Sequence, residues 1–81
     1  MELTEMQKSR IEHGVGFVYE TNGKEYYIEK VIGTYGAPDY RYPGAVNAWD
    51  AEGNQINPKN KPYEYIFECK AALDEISLLN N

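Results

Sequence analysis

The chain has 81 residues, 42% of them hydrophobic and 26% charged, a size that fits one domain and leaves no room for two. Thirteen acidic residues against eight basic ones give a formal net charge of −5, the wrong sign for drawing in a phosphate backbone, so direct nucleic-acid binding is not expected. A lone Cys69 makes no intramolecular disulfide, MELTEMQKSR lacks the apolar stretch of a secretory signal, and no segment approaches the roughly 20 apolar residues of a membrane span, which together predict a cytoplasmic protein with no membrane partner.

Taken in chain order, Leu3 to Gly14 carries a helix signature. Thr4 is the N-cap, Gln7 completes a capping box three residues on, and Leu3, Met6 and Ile11 lie near one face. Glu2 and Glu5 at the start and Lys8, Arg10 and His13 near the end match the sign of the helix dipole, and Gly14 suits a left-handed C′ position. The expected helix covers about residues 4–13.

From Val15 the hydrophobic period becomes two, and Thr21-Asn22-Gly23-Lys24 is a hairpin signal, because both central residues of a type I′ turn need positive φ. A two-residue loop sets the register. Tyr19 then faces Tyr26, Phe17 faces Ile28 and Val15 faces Lys30 on the expected core side, while Val18 faces Tyr27 on the other. That second side also sets Glu20 opposite Glu25 with Glu29 beside them, a like-charge strip that costs stability unless solvent or a basic group screens it.

Gly33 to Gly44, GTYGAPDYRYPG, interrupts the pattern with three glycines and two prolines and predicts a long surface loop bearing Tyr35, Tyr40 and Tyr42. Ala45 to Asp50 reads as a third strand with Trp49, and Asp50-Ala51-Glu52-Gly53-Asn54 as a tight turn into a short return strand near Gln55 and Ile56. Asn57 to Lys61 is a polar connector. Ile66, Cys69, Leu73 and Ile76 then follow helical spacing, and Pro62 suits a first helical position, which predicts a helix over about 62–79. The alternative is a strand over Tyr63 to Phe67 followed by a shorter helix.

The resulting order, α-β-β-β-(β)-α, predicts an α+β two-layer sandwich: a three- to four-stranded antiparallel sheet with N- and C-terminal helices covering one face. Double-stranded RNA-binding domains share this order, but they read phosphates from a basic helix start, whereas here Glu64 and Glu68 surround a single Lys70.

The chemistry-bearing residues are sparse. His13 and Cys69 stand most of the chain apart, so no zinc-type ligand cluster is expected, and no metal or cofactor is implied. Asp50 to Asn54 lacks the spaced oxygen ligands of a calcium loop and reads as a turn. Cys69 sits on an apolar helical stripe, which predicts a buried, inert thiol, and His13 at a helix C-terminus predicts a capping role. No glycine pattern of a phosphate-binding loop occurs. An enzyme is not expected.

Two surfaces stand out instead. Tyr35, Tyr40 and Tyr42 flank Asp39 and Arg41 on a loop stiffened by Pro38 and Pro43, and Tyr with Arg is the composition of interface hot spots. Glu20, Glu25 and Glu29 with Tyr27 form the second, an acidic face suited to a partner with a basic groove. The expected function is a small non-enzymatic protein-binding module, monomeric or homodimeric. Its size and acidity match, by class-level analogy, the inhibitors that phages and mobile elements direct against host defence or nucleic-acid enzymes, with carboxylates mimicking phosphates. The alternatives are a small-ligand domain with its aromatic loop over a sheet pocket, and a homodimeric accessory protein.

Overall fold

Asn22 and Gly23 both adopt positive φ, 49° and 76°, and so close the two-residue turn that joins the first two strands. In a computed structural model that describes residues 1–31 and 44–79, the elements are α1 (Glu5–Glu12), β1 (Gly16–Thr21), β2 (Lys24–Lys30), β3 (Val46–Asp50) and α2 (Ile66–Leu79). The register is the expected one: Phe17 pairs with Ile28, Val18 with Tyr27, Tyr19 with Tyr26 and Glu20 with Glu25. β3 adds antiparallel to the far side of β2, with Ile28 opposite Ala48 and Tyr27 opposite Trp49, giving the order β1-β2-β3. This is the α+β arrangement that the sequence predicts.

Strand alternation assigns the two faces. On the first, Tyr26, Ile28, Val46 and Ala48 pack against Ile66, Cys69 and Leu73 of α2, with Phe17, Tyr19, Ile56 and Tyr63 around them. Each large apolar side chain sealed there contributes about 1.5–3 kcal/mol relative to exposure. Cys69 is fully buried, and burial pushes its thiol pKa up to about 12.

The second face departs from expectation. α1 forms with its capping box, Thr4 accepting from the Gln7 amide and Gln7 from the Thr4 amide, and His13 Nδ1 donates to the Ser9 carbonyl at 2.7 Å. It buries no residue completely, and Met6 is exposed. Its ties are polar and run to the opposite face from α2: Arg10 bridges Glu29 at 3.0 Å, and the Met1 amine bridges Glu25 at 2.7 Å. Of the two described helices, only α2 covers the first face.

Tyr27 and Glu29, expected on an open sheet surface, are therefore interior, at 0% and 5% exposure. The Tyr27 hydroxyl donates to Glu29 at 2.9 Å, and its ring lies 5.7 Å from Trp49. Gly16 makes room for this ring: a Cβ there would collide with the Tyr27 hydroxyl oxygen and lie 2.9 Å from its Cζ.

β3 is an edge strand whose outward amides are all occupied. Val46 N–H donates to the Tyr63 carbonyl at 2.9 Å, Ala48 N–H to Asn57 Oδ1 at 3.0 Å, and Asp50 N–H to the Asn54 carbonyl at 2.9 Å. These contacts explain two differences from the sequence reading. Tyr63 pairs singly with Val46, so α2 starts at Ile66 rather than Pro62, and the return segment is a bridge at Gln55 rather than a strand. Asn57, 3% exposed, also donates to Asn47 Oδ1 at 2.9 Å and so pins the connector to the sheet.

Two substitutions test this packing. Gly16→Ala should destabilise the fold by about 1–3 kcal/mol through overpacking against Tyr27, read from urea midpoints, and an unchanged midpoint would contradict the close approach. Asn57→Ala strands the Ala48 amide and should cost about 1–3 kcal/mol in the same measurement.

Candidate functional site

The loop residues Tyr35, Asp39, Tyr40, Arg41 and Tyr42 lie outside the described residues. The acidic strip is present in sequence register but not as a continuous open surface. Glu20 is exposed, Glu25 lies 40% exposed beside the Met1 amine, and Glu29 is enclosed between Arg10 and Tyr27. The basic screen that such a strip requires comes from the chain itself. Burial, and then the bond to Glu29, push the Tyr27 phenol far above its ordinary pKa.

A different surface is open. Phe67, Ala71 and Leu78 stand at i, i+4 and i+11 on α2, which a helix brings within about 40° of one line. They lie on the side away from Ile66, Cys69 and Leu73. Phe67 is 57% and Leu78 61% exposed, and Leu79 beside them is exposed too. The Phe67 ring stacks on Tyr65 at 5.2 Å, which stiffens the aromatic end of the stripe. Glu64, Glu68 and Glu75 are exposed around it. Lys70 turns away, its Nζ 5.4 Å and 5.3 Å from the rings of Phe17 and Tyr19. Sequence reasoning missed this stripe because it sought one apolar face on the helix; the signal was the second recurrence, Phe67-Ala71-Leu78, opposite the first.

What turns the stripe outward is the clasp beneath it. Tyr19 and Thr21 hydroxyls both donate to Asp74 Oδ1, at 2.6 and 2.7 Å, and Asn22 Nδ2 donates to Ser77 Oγ at 2.9 Å. The hairpin end thus grips α2 over Asp74 to Ser77 and sets its rotation about its axis. The Tyr19 hydroxyl first, and Thr21 second, hold the Asp74 carboxyl below its ordinary range, and the same bond raises the Tyr19 phenol.

A cleft of about 350 Å³ opens between the hairpin turn and the turn at Asp50, lined by Lys24, Glu25, Tyr26, Asp50, Glu52 and Ile76 among others. The Asp50 carboxylate is engaged in its own turn, Oδ1 accepting from the Glu52 and Asn54 amides at 3.0 and 2.8 Å. Among the described residues no group of three or more His, Cys, Asp or Glu side chains is placed to hold a metal ion. No helix among them is long and apolar enough to cross a membrane.

Comparison with protein-family models, curated proteins and solved structures found no match. The surface chemistry of the chain is therefore the basis for a functional reading.

The Asp74 clasp has a pH signature. A carboxyl whose folded pKa is depressed contributes stability that is present above its unfolded value, near 3.8, and is lost as pH falls through the lower folded value. Asp74→Asn should lower Tm at neutral pH, and the gap to the wild-type protein should close as pH drops below about 4. A gap that stays constant into acid would show that the carboxylate charge is not what holds the clasp.

Proposed function

We propose that the protein is a non-enzymatic protein-binding module whose contact surface is the outer side of α2. The observation that carries this reading is the exposed Phe67 ring, stacked on the half-buried Tyr65, continued by Ala71 and Leu78 and rimmed by Glu64, Glu68 and Glu75. An aromatic anchor with an apolar extension and a charged rim is the anatomy of a protein interface, the centre supplying affinity and the rim orientation. The rim is acidic and the chain carries −5, so the complementary partner presents an apolar recess bordered by Lys and Arg.

A nucleic-acid-binding or defence enzyme offers such a border in its substrate channel. In that sharper version the module acts as the kind of small inhibitor that phages and mobile elements encode, with the exposed Glu64, Glu68 and Glu75 standing where phosphates would. The sheet strip contributes less than the sequence implies, since Glu29 is neutralised within the fold. The setting in this reading is the cytoplasm, where a free thiol such as that of Cys69 persists. The cleft between the two turns favours a second reading, a small polar or cationic ligand held near Tyr26, which a thermal-shift screen would reveal as a raised Tm.

Phe67→Glu and Leu78→Glu should leave Tm nearly unchanged, because both side chains are exposed, while abolishing stoichiometric capture of the protein that the wild-type chain retains. Capture should also weaken as salt rises. Equal capture by the folded variants would remove the α2 surface from the reading.

A further inference from the structure

Asn22 and Gly23 form the hairpin turn, and Asn22 is the one asparagine of the chain that a glycine follows. That pair sets an amide nucleophile, the Gly23 nitrogen, beside a side-chain carbonyl carbon that it reaches by closing a five-membered ring, an intramolecular attack favoured by proximity. The nucleophile is uncovered. Asn22 is exposed, nothing lies within 4 Å of the point where a side chain on Gly23 would begin, and no described residue bonds the Gly23 N–H. The restraint lies on the other reacting group. The Asn22 side-chain amide donates to Ser77 Oγ at 2.9 Å and to the Asp74 carbonyl at 3.3 Å, so it is tied to α2 rather than free to fold back on its own backbone.

We propose that Asn22 is a site of spontaneous deamidation, that α2 holds the reaction in check through Ser77 and Asp74, and that the product opens the clasp between hairpin and helix. In the step itself the Gly23 nitrogen gives its proton to solvent base and bonds to Asn22 Cγ; the Cγ–Nδ2 bond breaks, and the amide nitrogen takes up a proton and leaves as ammonia. Water then opens the resulting imide at one carbonyl or the other, giving aspartate or isoaspartate.

Both products work against the clasp. Aspartate at this position has no N–H to donate, sets a negative oxygen against the Asp74 carbonyl, and adds a charge beside the helical turn that bears the Asp74 carboxylate. Isoaspartate carries the chain through the side-chain carbon, which adds a backbone atom to a turn whose register depends on two residues. Ring closure requires the side chain to turn back onto Gly23, which releases its bonds to α2, so the intact clasp slows the change that would undo it. This chemistry is independent of what α2 binds, and its test needs no partner.

Wild-type protein aged in mildly alkaline buffer should lose ammonia at Asn22 ahead of the other asparagines, as read by peptide mapping and isoaspartate detection, and severalfold faster when urea has unfolded it. Folded Ser77→Ala, which removes the shorter of the two bonds, should deamidate severalfold faster than the folded wild type. Asn22→Asp should keep the fold, because aspartate tolerates positive φ, but lower Tm by about 4–8 °C, the shift that one lost hydrogen bond brings to a domain of this size. The urea comparison and the aspartate variant stand even if Ser77→Ala unfolds. Equal rates in folded and urea-unfolded wild type, a folded Ser77→Ala no faster than wild type, or an Asn22→Asp Tm equal to the wild-type value would overturn the proposal.

Discussion

Everything in this molecule follows from the handedness of one two-residue turn. Because Asn22 and Gly23 occupy positive φ, β1 and β2 lock in a single register, and a shift by one residue would exchange the two faces. That register delivers Tyr26 and Ile28 to α2, Tyr27 and Glu29 to the side reached by Arg10, and Tyr19 and Thr21 to Asp74. The clasp at Asp74 in turn decides which side of α2 meets solvent. A choice made within four residues thus propagates to the surface on the far side of the helix.

The two faces are stabilised by different physics. The α2 side is an apolar core in which burial dominates. The α1 side holds a phenol, a carboxylate and a guanidinium in a chain, Tyr27 to Glu29 to Arg10, where each polar group is matched as it is withdrawn from water. Such a group of charges adds little net stability compared with apolar packing of the same volume, but removing any member leaves another uncompensated. Its effect is specificity: it holds a nearly uniformly polar helix on a sheet face that would otherwise be open.

Much of the fold was legible in the residues. The capping box, the Asn22-Gly23 hairpin, the pairing of Phe17 with Ile28, the third strand and the Asp50 turn all rest on local chemistry, and local chemistry is what a sequence displays. Alternation puts Tyr27 and Glu29 on an open face because it names two faces without saying what covers the second; the long-range Arg10 contact does that. Pro62 looked like a helix start, yet the edge of β3 captured Tyr63 first. Asn57, in a segment that reads as connector, closes that edge because its amide side chain can imitate a backbone strand. The outer α2 stripe was written in the sequence as plainly as the inner one, but spacing alone does not tell which of two apolar stripes faces inward.

Trp49 is the single tryptophan, and it lies 5.7 Å from the Tyr27 ring on the face held by polar contacts. α1 buries no residue completely, which makes it, among the described elements, the one least anchored by burial. Lifting it would withdraw Arg10 from Glu29, the acceptor of the Tyr27 hydroxyl, and so disturb the ring that Trp49 abuts, while the apolar core under α2 stayed closed. The protein therefore carries an optical reporter confined to one of its two halves, able to register the loosening of the N-terminal helix as an event separate from unfolding.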